Sequence, residues 1–156
     1  MTSQVPAYVD SDIVKALVED KSKIPGKDYL IIDVRDDDYV GGHIPGSINY
    51  PSQELPERLP ELIKAHQDVP DLYFHCALSQ VRGPKAARRW SEAVEKNQAT
   101  QQLTEIEVAQ VQAANQSGLT QRIHVLRGGF GQWQQKYKDQ GHLLEDYQAE
   151  YWTEEY

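Results

Sequence analysis

The stretch FHCALSQVRGPKAARRW, Phe74 to Trp90, holds the only cysteine of the 156-residue chain, Cys76, with Arg82 six positions after it. An apolar strand ending at a cysteine, then a short loop, then a helix N-terminus is an arrangement suited to anions. The first N–H groups of a helix lack partners within it, and the helix dipole adds partial positive charge there. A thiolate in such a place is stabilised: cysteines at helix N-termini or beside cations have pKa values of about 3.5 to 7.5, against about 8.5 for a free thiol. On this reading Cys76 is a nucleophile at neutral pH. Arg82 closes the same loop and offers a planar fork that matches two oxygens of a tetrahedral oxyanion. The competing reading of a lone cysteine at a strand end is a small buried side chain. His75 before it, Arg82 after it and Gly83-Pro84 opening a helix favour the chemical reading.

The elements that must hold this loop can be read on either side of it. DLYFHC, residues 71 to 76, is an apolar strand, and beyond the loop Pro84 suits a first helical turn. Ala86, Ala87, Trp90, Ala93 and Val94 then recur at helical spacing. YLIIDV, residues 29 to 34, is a continuous apolar run, the pattern of a strand buried on both faces. A short extended stretch at AYVD precedes a helix carrying Ile13, Ala16 and Leu17 on one face. GGHIPGSINYP reads as turns around a short strand at 47 to 50. In ELPERLPELIKAHQ the apolar spacing is helical, but Pro56 and Pro60 predict short or broken helix. RIHVLR, 122 to 127, is a further strand, followed by a helix striped with Phe130, Trp133 and Tyr137. Strands alternating with helices predict an α/β fold, a parallel-sheet sandwich with helices on both faces.

The expected organisation is a single domain over residues 1–156, with a core of about 8–137. A Gln-rich helical insertion occupies about 95–121, and an acidic, aromatic tail at 141–156 docks through Tyr147, Tyr151 or Trp152. Sixteen Lys and Arg against twenty-four Asp and Glu leave a formal net charge of -8, which repels phosphate backbones and argues against a nucleic-acid partner. No apolar run approaches the roughly 18 residues of a membrane span, and MTSQVPAYVD has neither a charged n-region nor an apolar h-region. The expectation is a protein of the cytoplasm or nucleus without a membrane partner. One cysteine excludes an internal disulfide and a multi-cysteine zinc site, and His43, His66 and His124 lie too far apart to form a ligand pair, so no metal is expected.

HCALSQVRGP has the H-C-x5-R form of cysteine phosphatases and resembles the cell-cycle dual-specificity phosphatases. It is closer still to their small single-domain relatives, some of which are eukaryotic arsenate reductases. LIIDVRDDDYVGGHIPGSINYP resembles the first signature of the rhodanese-like family to which these enzymes belong, and IHVLRGGFGQW its final strand, turn and helix. The resemblance implies Cys76 as nucleophile and Arg82 as the residue that binds oxyanion and transition state. It further implies a substrate cradle made by the N–H groups of Ala77, Leu78, Ser79, Gln80, Val81 and Arg82. Gly83 would allow close backbone approach where loop meets helix. Ser79 has a hydroxyl to offer to the substrate or to its own turn, and Gln80 would shape the rim. His75 would support the loop, Asp33 and Arg35 would brace the scaffold, and His43 would be a hydrogen-bonded structural residue. Asp36, Asp37 and Asp38 read as a solvated turn. Arg88 and Arg89 read as a surface helix face with salt bridges rather than substrate steering.

The cell-cycle enzymes carry glutamates inside the loop where this chain has Ala77 and Val81, so no loop residue can donate a proton to a leaving group. A phenolate needs that help least, which favours aryl phosphates such as phosphotyrosine. The function expected is a cysteine-dependent phosphatase of tyrosine or dual specificity, acting on a phosphorylated protein through a phosphocysteine and needing no cofactor. The alternative is arsenate reduction, with a small oxyanion as substrate and glutathione or glutaredoxin supplying the second thiol that the chain lacks. Sulfur transfer and a non-catalytic binding module rank behind both.

Overall fold

A computed structural model describes residues 6–101 and 121–152, the side chains of 97–101 excepted. In chain order the elements are β1 (Ala7–Val9), α1 (Ser11–Glu19), β2 (Leu30–Asp33), β3 (Ser47–Asn49), α2 (Leu55–Ala65), β4 (Asp71–His75), α3 (Arg82–Gln101), β5 (Arg122–Leu126) and α4 (Gly129–Tyr137). A 3-10 turn (Gly141–Leu143) and a short helix α5 (Ala149–Trp152) follow. The five strands form one sheet in the order β1-β5-β4-β2-β3, and every pairing is parallel.

Alternation along the strands divides the core in two. Leu30, Ile32, Leu72, Phe74 and Val125 face one way and pack on Leu55, Leu62 and Ile63 of α2 and Ala86, Ala87 and Trp90 of α3. Ile31, Tyr73 and Leu126 face the other way, against Val14 of α1 and Phe130, Trp133 and Tyr137 of α4. Both faces are covered by helices, which explains why β2 is apolar at consecutive positions and buried throughout. A parallel sheet also brings the C-terminal ends of its strands to one edge. There the Cys76 loop after β4 meets the turn after β2 and the Gly128-Gly129 turn after β5. No helix among the described residues is long and apolar enough to cross a membrane.

Three local expectations differ from the structure. α1 packs Val14, Leu17 and Val18 on the sheet, while Ile13 and Ala16 of the expected face are exposed. α2 runs unbroken through both prolines. Pro56 lies in the first turn, where its missing N–H costs nothing, and Pro60 forfeits one bond that the burial of Leu55, Leu62 and Ile63 offsets. Residues 95–101 continue α3 rather than starting a separate excursion. The rest of the expected Gln-rich insertion, 102–120, lies outside the described residues.

The C-terminal segment packs on the body as its aromatic residues suggest. Trp152 is only 7% exposed. Its indole N–H donates to the Gly41 carbonyl at 2.9 Å, and its ring lies 5.5 Å from that of Phe130. The Tyr147 hydroxyl donates to Gln134 at 2.7 Å, while His43 and Glu145 exchange two backbone hydrogen bonds of 2.9 Å. Tyr151, by contrast, stays largely exposed. Removing a buried Trp leaves a large cavity and takes one of two hydrogen bonds from the Gly41 carbonyl, which also accepts the Gln148 N–H at 3.1 Å. Trp152→Ala is expected to lower the unfolding free energy by about 3 kcal/mol, read from the urea midpoint at constant m-value.

Candidate active site

The loop from Cys76 to Arg82 is fixed by its carbonyls. The Cys76 oxygen accepts the Phe130 N–H at 3.0 Å and the Ala77 oxygen accepts the Gly131 N–H at 2.8 Å, so the first turn of α4 grips the loop from outside. The Tyr8 hydroxyl donates to the Ser79 oxygen at 3.1 Å. Because a trans peptide points its N–H opposite to its C=O, the N–H groups of Ala77, Leu78 and Gln80 are directed away from these partners. No described residue accepts a hydrogen bond from the N–H of Ala77, Leu78, Gln80, Val81 or Arg82. The Ser79 N–H donates to the Cys76 Sγ at 3.2 Å, and Cys76 is 3% exposed.

Two glycines make the grip possible. A side chain at Gly83 would crowd the backbone of His75 at 3.2 Å, so glycine lets α3 start directly against the end of β4. Gly129, at φ 59°, would drive a Cβ into the carbonyl oxygens of Cys76 and Ala77. Ser79 is also left-handed, at φ 56°, a conformation that costs a non-glycine residue about 1–2 kcal/mol. Its buried hydroxyl has no partner among the described residues. Leu78 at 43% and Val81 at 69% exposure stand on the rim beside Gln80.

Arg82 is not alone. Its Nη1 and Nη2 donate to the two oxygens of Asp38 at 2.8 and 2.6 Å, and Nη1 also reaches Asp36 at 3.3 Å. The solvated-turn reading therefore holds for Asp37 only, and Asp36 and Asp38 belong to the site. The Arg82 hydrogen bonds hold the Asp38 carboxyl below its ordinary value of 3.8. Burial pushes Asp36 up, but hydrogen bonds from Ser52, the Gln53 N–H and Arg82 outweigh it and the net shift is downward. The two carboxylates raise Arg82 further above its already basic value. No spacing signal marks Asp36 and Asp38, which lie in a turn closed by the Tyr39 N–H on the Asp36 carbonyl at 3.1 Å. Tyr8 and Gly131 carried no signal either.

Beneath the loop lie three buried ionisable groups. Arg35 holds Asp33 through Nε at 3.0 Å and Nη2 at 2.7 Å, and the same Nη2 donates to the Gly42 carbonyl at 2.8 Å. The Arg35 guanidinium is sandwiched near the rings of Phe130 at 4.7 Å and Tyr39 at 5.0 Å. These contacts tie β2, the turn after it and α4 together, so Asp33 and Arg35 act as a brace. His43, half-buried, bonds Glu145 at 3.0 Å and stacks on Tyr39. Arg88 is exposed and Arg89 half-buried on α3, and no described acid pairs with either.

His75 is fully buried, with Nδ1 3.0 Å from the Cys76 oxygen. A carbonyl only accepts, so Nδ1 carries the proton. Nε2 lies 3.7 Å from Asp33 and makes no hydrogen bond. Burial is the largest influence and holds the imidazole below its ordinary 6.5, against an opposing pull from Asp33. As pH falls below 6.5 the unfolded chain thus gains a proton at His75 that the folded chain does not, and stability is lost toward the folded value. Burial acts on His66 in the same sense. Replacing His75 by Asn is expected to flatten, without abolishing, the fall in urea-unfolding free energy between about pH 7 and pH 5. An unchanged slope would show that another group carries it.

Comparison with known proteins agrees with this architecture. Dual specificity phosphatase ibp1 of Schizosaccharomyces pombe is 36% identical over 140 residues, covering 89% of this chain and 96% of that protein. Arsenate reductase 2.1 of Oryza sativa subsp. japonica is 37% identical over 129 residues, covering 82% of this chain and 67% of that protein. A solved structure described as a yeast protein tyrosine phosphatase of the rhodanese family covers 97% of this chain and 99% of its own, with a TM-score of 0.67 at 28% identity. The model of the rhodanese-like domain matches residues 12–136, from α1 to the end of α4, and the chain belongs to that family.

Proposed function

We propose that the chain is a cysteine-dependent phosphatase that hydrolyses aryl phosphate monoesters, phosphotyrosine in a protein above all, through a phosphocysteine at Cys76. The observation that carries this reading is the run of loop N–H groups from Ala77 to Arg82 that have no acceptor among the described residues. Five such donors and a guanidinium suit three phosphoryl oxygens whose negative charge must be held through an in-line displacement. The Cys76 thiolate attacks phosphorus and the phenolate leaves. Water then attacks the phosphocysteine, releasing inorganic phosphate and regenerating the thiolate. Ala77 to Val81 supply backbone donors, Arg82 supplies the fork, and Gly83 keeps the helix start close. No cofactor is required. A reducing compartment, cytoplasm or nucleus, keeps the single thiol free.

The likeness to an arsenate reductase supports a second reading. Arsenate has nearly the phosphate shape, and Cys76 attack on arsenic displaces an oxygen as water to give a thiol adduct. A glutathione thiol then attacks the Cys76 sulfur, two electrons pass to arsenic, and arsenite leaves with a mixed disulfide behind it. Glutaredoxin or more glutathione reduces that disulfide, because the chain has no second cysteine.

Phosphate release from p-nitrophenyl phosphate separates the two. Wild type is expected to turn over, with Cys76→Ser reduced by about 10³-fold or more and Arg82→Ala by about 10²-fold, both folded by circular dichroism. An inert wild type would overturn the phosphatase reading. Arsenite formation with glutathione and glutaredoxin would then favour the second.

A further inference from the structure

Arg82 presents two edges to its surroundings. The end-on edge, one N–H from each of Nη1 and Nη2, is taken by Asp38, and the remaining Nη1 hydrogen is directed toward Asp36. What remains is the side-on edge, Nε–H with the second Nη2–H, which no described residue uses. That is the edge with which Arg35 holds Asp33 and Arg122 holds Asp71 elsewhere in this chain. It is a bidentate acceptor site for two oxygens of a carboxylate, or of a tetrahedral oxyanion.

The clamp is itself anchored. Asp38 accepts the Asp36 N–H at 2.9 Å, and Asp36 accepts the Ser52 hydroxyl at 2.6 Å and the Gln53 N–H at 3.0 Å. A flexible arginine stem loses rotamer freedom on binding unless something fixes it beforehand. The loop offers no carboxylate of its own, since Ala77, Leu78, Ser79, Gln80 and Val81 carry none.

Building on the oxyanion-enzyme reading above, we infer that Asp38, braced by Asp36, is a positioning residue that aims the side-on edge of Arg82 at the bound oxyanion. The carboxylate has two opposed effects on an anion in the cradle. Through Arg82 it preorganises a bidentate donor, and directly it repels the ligand by its own charge. With Arg82 present the first effect dominates. Without Arg82 only the repulsion is left. The sign of the Asp38 effect must then reverse with the identity of residue 82, which a merely structural carboxylate would not produce.

Tungstate, an inert tetrahedral oxyanion, reads this without turnover. Its dissociation constant is measured by calorimetry for wild type, Asp38→Asn, Arg82→Ala and the double variant, each with its urea midpoint, and Asp38→Ala serves as a second replacement. Asp38→Asn is expected to weaken binding by about tenfold in the wild-type background and to tighten it by a few-fold in the Arg82→Ala background. The same weakening in both backgrounds, or none in wild type, would overturn the inference alone. Failure of wild type to bind tungstate would take the oxyanion reading down with it. Tungstate binding without phosphate release would leave the positioning role standing and remove only the phosphatase.

Discussion

The site depends on where three carbonyls point. Phe130, Gly131 and Tyr8 take the oxygens of Cys76, Ala77 and Ser79, and planarity of the peptide turns the opposing N–H groups away from them. Holding the loop in this shape has a cost, because Ser79 sits in a left-handed conformation. The α4 grip holds that arrangement in advance, so little reorganisation is required when an anion arrives. It also explains why glycine stands at 129, where any side chain would meet the oxygens being gripped.

The grip is only as firm as α4, and α4 is held by buried charge and by the C-terminal segment. Arg35, paired with Asp33, presses its guanidinium against Phe130, and Trp152 packs on the same ring while bonding Gly41. A buried ion pair of this sort adds little net stability, since desolvation consumes most of the attraction. Its value here is geometric. It joins the strand before the site, the Gly41-Gly42 turn and the α4 start into one unit. The turn that leads to Gly41 also carries Asp36 and Asp38, so the brace and the Arg82 clamp come from a single excursion after β2.

Elements governed by local chemistry were legible from the chain. The buried run at 29 to 34, the strand before Cys76 and the helix behind Pro84 all follow from apolar periodicity and from what proline permits, while the role of Gly83 was implied by the family resemblance. The contacts that read less well are separated by many residues. Arg82 meets Asp38 across 44 positions and Tyr8 meets Ser79 across 71, and nothing in the spacing of either partner encodes the meeting. Three consecutive aspartates look like a solvated turn because that is how isolated carboxylates behave. Only an uncompensated guanidinium brought close by the sheet makes two of them part of a site. Pro60 misled for the opposite reason, since one lost hydrogen bond is small beside the apolar face that α2 buries.

The most direct test of the account is a titration of the uniformly 15N-labelled protein with tungstate, followed through its assigned amide resonances. The amides of Ala77, Leu78, Gln80, Val81 and Arg82 are predicted to shift together and far more than those of Phe130 and Gly131, whose N–H groups are already committed to the loop. Shifts concentrated elsewhere, or loop amides that stay in place while tungstate binds, would contradict it.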